Sequence, residues 1–169
     1  MHNIIKKGLK NVIPFFLSIV LILGSFVTGQ KGLAATSTKA QRNYIANNWI
    51  LWGQGDDRYN CLAYALGITD RWVWPWLNNP SKKTVKKYLE NKGYVVSTSA
   101  SLLSNISDNR RKIVAYSNGD GITHFARAYT AKTIVAKWGS LEVFYGNKYA
   151  SYTNNVYGQP CLYAYYRYK

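Results

Sequence analysis

The sequence predicts a single-domain α+β fold in which N-terminal helices pack on a C-terminal antiparallel sheet. The period of the apolar residues predicts this division, because it is mainly helical before residue 100 and becomes two from Lys112 onward. Composition agrees, since 47% of the 169 residues are hydrophobic and 15% are aromatic, which suits a folded core rather than a disordered basic chain. Helices followed by strands, without internal repeats, are typical of an α+β domain.

Local signals predict three principal helices in the first half of the domain. Apolar spacing predicts a helix over residues 41–51. A second helix is expected to begin near Asn60 and to stop at Gly67. Residues 81–92 form an amphipathic pattern that ends at Gly93, and therefore predict a third helix.

The alternating pattern in the second half of the domain predicts a meander of short strands. The segment Asn118-Gly119-Asp120-Gly121 predicts a hairpin connection between the first two of them. A short strand is also expected directly after the third helix. The predicted strands cover residues 94–97, 112–117, 122–130, 133–138, 141–144 and 160–168.

Residues 1–35 predict a secretory signal peptide, and residues 36–169 the folded domain. Three lysines among the first ten residues precede an apolar run at 12–27, and small residues then offer a cleavage site after Ala34 or Ala35. An uncleaved membrane anchor is the alternative, but the run is shorter than the roughly 20 residues that span a bilayer. We therefore expect a secreted, extracellular protein.

The charge is strongly positive. Four of the 22 Lys and Arg lie in residues 1–35 and all 7 Asp and Glu lie after them, so residues 36–169 carry a net charge of +11. Such an excess favours a polyanionic neighbourhood, for example anionic cell-wall polymers, although solubility alone would also explain it. Because the cations are scattered and no nucleic-acid motif accompanies them, we expect no specific nucleic-acid partner. We expect a monomer.

Cys61 and His124 are the side chains best suited to nucleophilic chemistry. Cys61 falls in the first turn of a predicted helix, where backbone amides stabilise a thiolate. His124 is the only histidine of residues 36–169 and the only imidazole available there as a base. Strand alternation surrounds it with small apolar residues, so we expect its ring to face the covering helices. A disulfide between Cys61 and Cys161, or two inert thiols, are the alternatives.

Metal and cofactor chemistry is not expected. Two cysteines cannot form a four-ligand zinc site alone, and a single histidine in the domain excludes a histidine-built centre. No other motif points to a bound group.

Two short runs, YNCLAYA at residues 59–65 and THFA at residues 123–126, resemble the papain-like superfamily of cysteine hydrolases, nearest to its CHAP branch of secreted amidases and endopeptidases. In the first run an aromatic residue follows the cysteine by three positions, as in that branch. The second run places the histidine beside small apolar residues. The chain also resembles secreted bacterial proteins that share the run NCLAYALG, a Trp/Pro loop and a Lys-Trp-Gly run.

The resemblance implies a secreted thiol hydrolase that cleaves an amide or peptide bond, with peptidoglycan or another extracellular peptide as substrate. Cys61 would attack the carbonyl carbon, and His124 would act first as base and then as acid. The backbone amide of Cys61 and a side-chain donor, either Gln54 or Asn60, would form the oxyanion hole. Papain-like enzymes place a third polar residue on the next strand. Ser140 and Glu142 could both fill this role here, and Glu142 is favoured; an ordinary solvated carboxylate is the alternative interpretation of Glu142.

The alternating residues Trp72, Trp74 and Trp76 predict either a substrate-binding wall or a small satellite core. Another class of function also fits the sequence: a non-catalytic binding or inhibitory module, a degenerate enzyme that would need these tryptophans and tolerate the loss of Cys61. A cationic toxin acting on membranes is a third possibility, and the predicted folded sheet counts against it.

Overall fold

One antiparallel sheet forms the body of the domain in the computed structural model, which describes residues 50–107, 110–130, 133–146 and 157–168. Within these ranges the chain forms three helices and seven strands. In chain order they are β1 (Ile50–Gly53), α1 (Cys61–Leu66), α2 (Lys82–Asn91), β2 (Tyr94–Ser97), α3 (Ser101–Ser104), β3 (Lys112–Ser117), β4 (Ile122–Ala128), β5 (Ile134–Lys137), β6 (Val143–Gly146) and β7 (Gln159–Tyr166).

The strands pair in the order β1-β6-β5-β4-β3-β7-β2, and every neighbouring pair is antiparallel. Strand β4 lies in the middle, paired with β3 in a register that sets Tyr116 opposite His124. The two strands that precede Ser101 in the chain, β1 and β2, form the two edges of the sheet. Both edge strands of the sheet thus come from the first half of the domain.

The expected papain-like α+β architecture, with N-terminal helices packed on a C-terminal sheet, is wrong. The sheet dominates the fold, and the longest of the described helices, α2, has 10 residues. The predicted helix at 41–51 also conflicts with the structure where it is described, because Ile50 and Leu51 lie in β1 and pair with Tyr145 and Phe144. A four-residue strand at a sheet edge is fixed by that distant pairing, and its apolar residues match a helical pattern equally well.

Local signals do fix the two helices that were predicted after residue 59. The Asn60 side chain accepts a hydrogen bond from the Ala63 N–H at 3.0 Å and caps the start of α1. Gly67 ends α1 with φ 76°, a left-handed conformation that glycine adopts at little cost. At the start of α2, Ser81 Oγ accepts from the Thr84 N–H at 3.1 Å. Both predictions are confirmed to within one or two residues.

Each side of the sheet carries its own core. We call the side that α1 and α2 cover the helix face, and the opposite side, where Leu103 of α3 packs, the far face. Each fully buried Leu, Ile or Phe stabilises the fold by roughly 2 kcal/mol. The helix-face core contains Cys61, Leu62, Ala65, Leu66, Val85, Leu89, Tyr94, Ile113, Ala115, Ile122, Phe125, Leu162 and Ala164. The far-face core contains Leu103, Val114, Tyr116, Ala126, Ala128, Ile134, Ala136, Phe144, Tyr157 and Tyr163.

The predicted strands agree with the observed ones, with small shifts at their ends. Strands β2 and β3 have the predicted bounds, whereas β4 ends at Ala128, before the predicted residue 130. The predicted signal peptide lies outside the described residues, as does the predicted helix up to residue 49. No helix in the part of the chain that the structure describes has the length and apolar character needed to cross a membrane.

Candidate functional site

Cys61 is the first residue of α1 and is 7% exposed, within the helix-face core. Burial raises the pKa of its thiol to about 11, because the thiolate would lose its water. Backbone hydrogen bonds, the first from Phe125, and the charge of Lys137 act in the other direction without outweighing it. Both cysteines of the chain are described and both are free thiols, so the alternative of a Cys61–Cys161 disulfide is not what the structure shows.

His124 lies on the far face, and the structure does not bring it to the Cys61 side of the sheet. Its ring stacks on Tyr157 with centroids 3.8 Å apart, and it lies 5.6 Å from the Tyr116 ring. Both tyrosines belong to the far-face core. The expectation that His124 faces α1 is therefore wrong, because alternation along β4 gives the helix side to Phe125. Burial lowers the pKa of the His124 imidazole to about 3.

Asn60 and Gln54, the two residues expected at an oxyanion hole, differ in burial. Asn60 is buried, and its Nδ2 donates to the Val73 carbonyl at 3.1 Å while its Oδ1 caps α1. The Asn60 side chain therefore ties the start of α1 to the tryptophan loop, and this bond uses one of its two amide hydrogens. Gln54 lies exposed in the loop between β1 and α1.

Glu142 is 5% exposed, so the alternative of an ordinary solvated carboxylate does not apply. Its charge acts on Lys137, the last residue of β5, rather than on His124. Burial lowers the pKa of the Lys137 amine to about 8, although the charges of Asp56 and Glu142 both favour the ammonium. Lys137 Nζ donates a hydrogen bond to the Leu141 carbonyl. The cation whose charge favours the Cys61 thiolate is thus a lysine.

The three tryptophans of the loop after α1 have two different roles. Trp74 packs edge-on against Phe125 at 5.8 Å, and Trp76 packs against Tyr88 at 5.0 Å. Both extend the helix-face core, as the satellite-core interpretation predicted. Trp72 is 54% exposed, and its Nε1 donates to the Asp57 carbonyl. A continuous wall of three tryptophans is therefore not formed.

A different set of aromatic rings lies side by side on the helix face, beside α1. Trp52 of β1 stacks on Tyr145 of β6, with centroids 5.7 Å apart and planes inclined by 26°. Trp52 also lies 6.3 Å from Tyr129, which follows β4 and is close enough to Tyr64 of α1 to raise its pKa. Tyr64 in turn stacks on Tyr59, with centroids 6.3 Å apart. We call these five residues the aromatic row.

The aromatic row is partly open to solvent and carries positive charge. Trp52 is 58% exposed and the four tyrosines are half-buried. The Arg127 guanidinium lies 5.0 Å from the centre of the Tyr129 ring, and Lys137 Nζ lies 5.0 Å from the centre of the Tyr59 ring. The nearby Asp56 carboxylate is held by Arg58 at 2.7 Å, and that pairing lowers the pKa of Asp56 to about 2. Desolvation, together with the neighbouring Tyr129 hydroxyl, raises the pKa of Tyr64.

Sequence reasoning missed the aromatic row, although one signal for it was present. Alternation that groups His124 with Ala126 and Ala128 leaves Arg127 and Tyr129 on the other side of β4, next to α1. The contact between Trp52 and Tyr145 could not be predicted from alternation, because it forms only through the pairing of β1 with β6.

Residues that could hold a metal ion are not grouped in the described ranges, where no cluster of three or more His, Cys, Asp and Glu side chains occurs.

Comparison with known proteins identifies the family but not an activity. No curated protein and no solved structure matches the chain. Residues 50–165 match the family model described as a Domain of unknown function (DUF7689), a stretch that begins with β1 and ends in β7. The chain therefore belongs to the DUF7689 family.

Proposed function

We propose that the domain is a non-catalytic binding module that holds an anionic glycan, a polymer of sugar rings that carry carboxylate or phosphate groups. Anionic polymers of a cell wall have this chemistry. The observation that carries the proposal is the half-buried Arg127 guanidinium over the Tyr129 ring, next to the exposed ring of Trp52.

The rings supply the contact with sugar. The faces of a sugar ring that carry its C–H groups are apolar, and they pack on the face of an indole or phenol. Trp52 presents such a face at 58% exposure, and the Tyr145 ring stacked beneath it fixes its orientation. A rigid aromatic side chain gives a large contact area while losing little conformational entropy on binding.

Arg127 supplies the contact with the acidic groups, whereas Lys137 is fully buried and adds only its charge. Arg127 is half-buried beside the row, and a guanidinium pairs with a carboxylate or a phosphate through two parallel hydrogen bonds. Residues 36–169 carry a net charge of +11, which draws a polyanion towards the domain from a distance. Rings and cations together favour a ligand that has both sugar faces and negative charge.

Hydrolysis by Cys61 and His124 is the function that the resemblance implied, and this geometry favours it less. A thiol with a pKa raised to about 11 forms little thiolate at neutral pH. A nucleophile also needs its base within hydrogen-bond reach, and His124 occupies the far-face core. Binding without turnover needs neither group.

Binding assays with four polymers test the proposal. Alginate offers rings and carboxylates, dextran offers rings without charge, polyphosphate offers charge without rings, and oligothymidylate offers bases and phosphates. We expect alginate to bind more tightly than dextran or polyphosphate, because only alginate uses both parts of the site. Equal binding of alginate and polyphosphate would leave only charge attraction, and tighter binding of oligothymidylate would assign the site to nucleic acid.

A matched pair of variants locates the site. Trp52→Ala removes an exposed ring of the aromatic row, whereas Trp72→Ala removes an equally exposed ring outside it. We expect Trp52→Ala to weaken alginate binding by about fivefold or more, which is the usual scale for the loss of one stacking contact, and Trp72→Ala to have little effect. Equal losses in the two variants would contradict the assignment.

A further inference from the structure

A second surface of the domain combines a fully exposed leucine with a row of lysines. Leu77 has a relative exposure of 102%, the value of a side chain with no packing neighbours. The residue before it, Trp76, is half-buried against Tyr88 of α2. The loop is therefore anchored by Trp76, and it presents the next side chain outward.

Helix α2 supplies the positive charge. Val85 and Leu89 are its buried residues and Tyr88 is half-buried, and most of the remaining helix surface faces solvent. Its one acidic residue, Glu90, is paired with Lys86. The exposed lysines are Lys82, Lys83, Lys86 and Lys87.

The loop that carries Leu77 packs against the helix that carries the lysines. The contact of Trp76 with Tyr88, at 5.0 Å between centroids, holds the loop against the flank of α2. Lys92, which follows the helix, extends over the same Tyr88 ring at 5.0 Å. The chain from Leu77 to the helix cap at Ser81 is only four residues long, which limits how far the leucine can lie from the first lysines.

We propose that Leu77 and the α2 lysines dock the domain on an anionic lipid bilayer. The lysines attract anionic headgroups, and their aliphatic stems lie along the membrane surface while the ammonium groups stay in water. Leu77 enters the region between headgroups and acyl chains, where an exposed leucine loses its contact with water. A soluble polyanion would use the lysines but would gain nothing from the leucine, and this difference assigns the surface to lipid. The proposal is independent of the glycan site, because none of its residues belongs to the aromatic row.

Co-sedimentation with vesicles tests the proposal. We expect the protein to sediment with vesicles of phosphatidylglycerol and phosphatidylcholine, and not with pure phosphatidylcholine, and we expect binding to weaken as salt rises. Leu77→Ser should weaken binding to the anionic vesicles about tenfold. Its matched control is Leu51→Ser, an exposed leucine of β1 that should leave vesicle binding unchanged. Equal binding by Leu77→Ser and the unsubstituted protein would overturn the proposal.

A second pair of variants separates this surface from general charge. Lys83→Gln/Lys87→Gln and Arg58→Gln/Arg71→Gln each remove two exposed positive charges, and only the first pair lies on α2. We expect the α2 pair to lose about tenfold or more in vesicle affinity, and the control pair to lose less than about twofold. Equal losses in both pairs would leave nonspecific attraction as the explanation. Alginate binding by the α2 pair should stay unchanged, so that failure of the lipid site and failure of the glycan site give different results.

Discussion

His124 stacks face to face on Tyr157, with ring centroids 3.8 Å apart and ring planes inclined by 10°. Both rings lie inside the far-face core, where His124 is 1% exposed. An imidazolium at this position would lose its hydration, and this lowers the pKa of His124 to about 3. The histidine that appeared suited to proton transfer is thus a neutral core residue at ordinary pH.

The first prediction concerns stability against pH. Above pH 6.5 the imidazole is neutral in both the folded and the unfolded chain. As the pH falls below 6.5, His124 becomes protonated in the unfolded chain, whereas in the folded chain it stays neutral down to about pH 3. The free energy of unfolding therefore falls by about 1.4 kcal/mol per pH unit. Between pH 8 and pH 5 this loss is about 2 kcal/mol.

Urea denaturation of the protein and of His124→Phe at several pH values measures this loss. The variant should lack the His124 contribution, so the difference in unfolding free energy between the two proteins should change by about 2 kcal/mol across that range. Asp56 does not interfere, because its folded pKa of about 2 and its ordinary value of 3.8 both lie below pH 5. Parallel curves for the two proteins would contradict the burial of a neutral His124.

The sequence predicted those elements that are specified by their own residues. Asn60 and Gly67 mark the ends of α1 by a side-chain cap and by a left-handed glycine, and both signals act within one helical turn. Strand β1 has no comparable local signal, since its position is set by the pairing of Ile50 with Tyr145, far along the chain. The incorrect fold class follows from this difference, because edge strands depend on tertiary contacts.

The side chains of the candidate site also depend on tertiary contacts that local sequence patterns do not specify. Alternation correctly placed His124 on one side of β4 with Ala126 and Ala128, but it does not tell which side the helices cover. Ile122, grouped with them by the same pattern, packs in the helix-face core, next to the point where the β3–β4 register shifts at Ser117. Spacing along a strand therefore gives two faces, and only the packing of α1 decides between them.

The second prediction concerns the reactivity of the two thiols. Burial raises the pKa of both, but Cys61 is buried whereas Cys161 is only half-buried. We expect iodoacetamide to alkylate Cys161 first in the folded protein and to reach Cys61 only after unfolding. Mass mapping of the labelled peptides over time measures this order, with Cys161→Ser as the control that should remove the early product. Rapid labelling of Cys61 at mildly acidic pH would contradict the prediction and would support the thiol hydrolase hypothesis.

The third prediction compares two helix caps. Ser81→Ala removes a cap from the exposed start of α2 and should cost about 1 kcal/mol of unfolding free energy. Asn60→Ala should cost about 2–3 kcal/mol, because it also removes the hydrogen bond to the Val73 carbonyl and leaves the buried Ala63 N–H without its acceptor. Urea titrations of the two variants give both values. Equal costs would mean that the link between α1 and the tryptophan loop adds nothing to stability.

The fourth prediction compares two glycines that both have positive φ. Gly158, just before β7, has φ 78°, and an added Cβ would lie 1.9 Å from the Ser117 carbonyl oxygen. Gly119, in the β3–β4 hairpin, has φ 108°, and an added Cβ would meet no atom within 4 Å. Alanine at Gly119 therefore costs only backbone strain, about 1 kcal/mol, whereas alanine at Gly158 must also push β7 away from β3 and should cost roughly 3 kcal/mol or more.

Thermal and urea unfolding of Gly158→Ala and Gly119→Ala measure this difference. The displaced segment includes Tyr157, which precedes Gly158 and carries the ring stacked on His124. Loosening that stack would admit water to the imidazole, so His124 in Gly158→Ala should titrate at a higher pH than in Gly119→Ala, a change that NMR of the ring protons detects. Similar stability in the two variants, together with an unchanged His124 titration, would mean that the close approach of Gly158 to Ser117 does not hold the far-face core together.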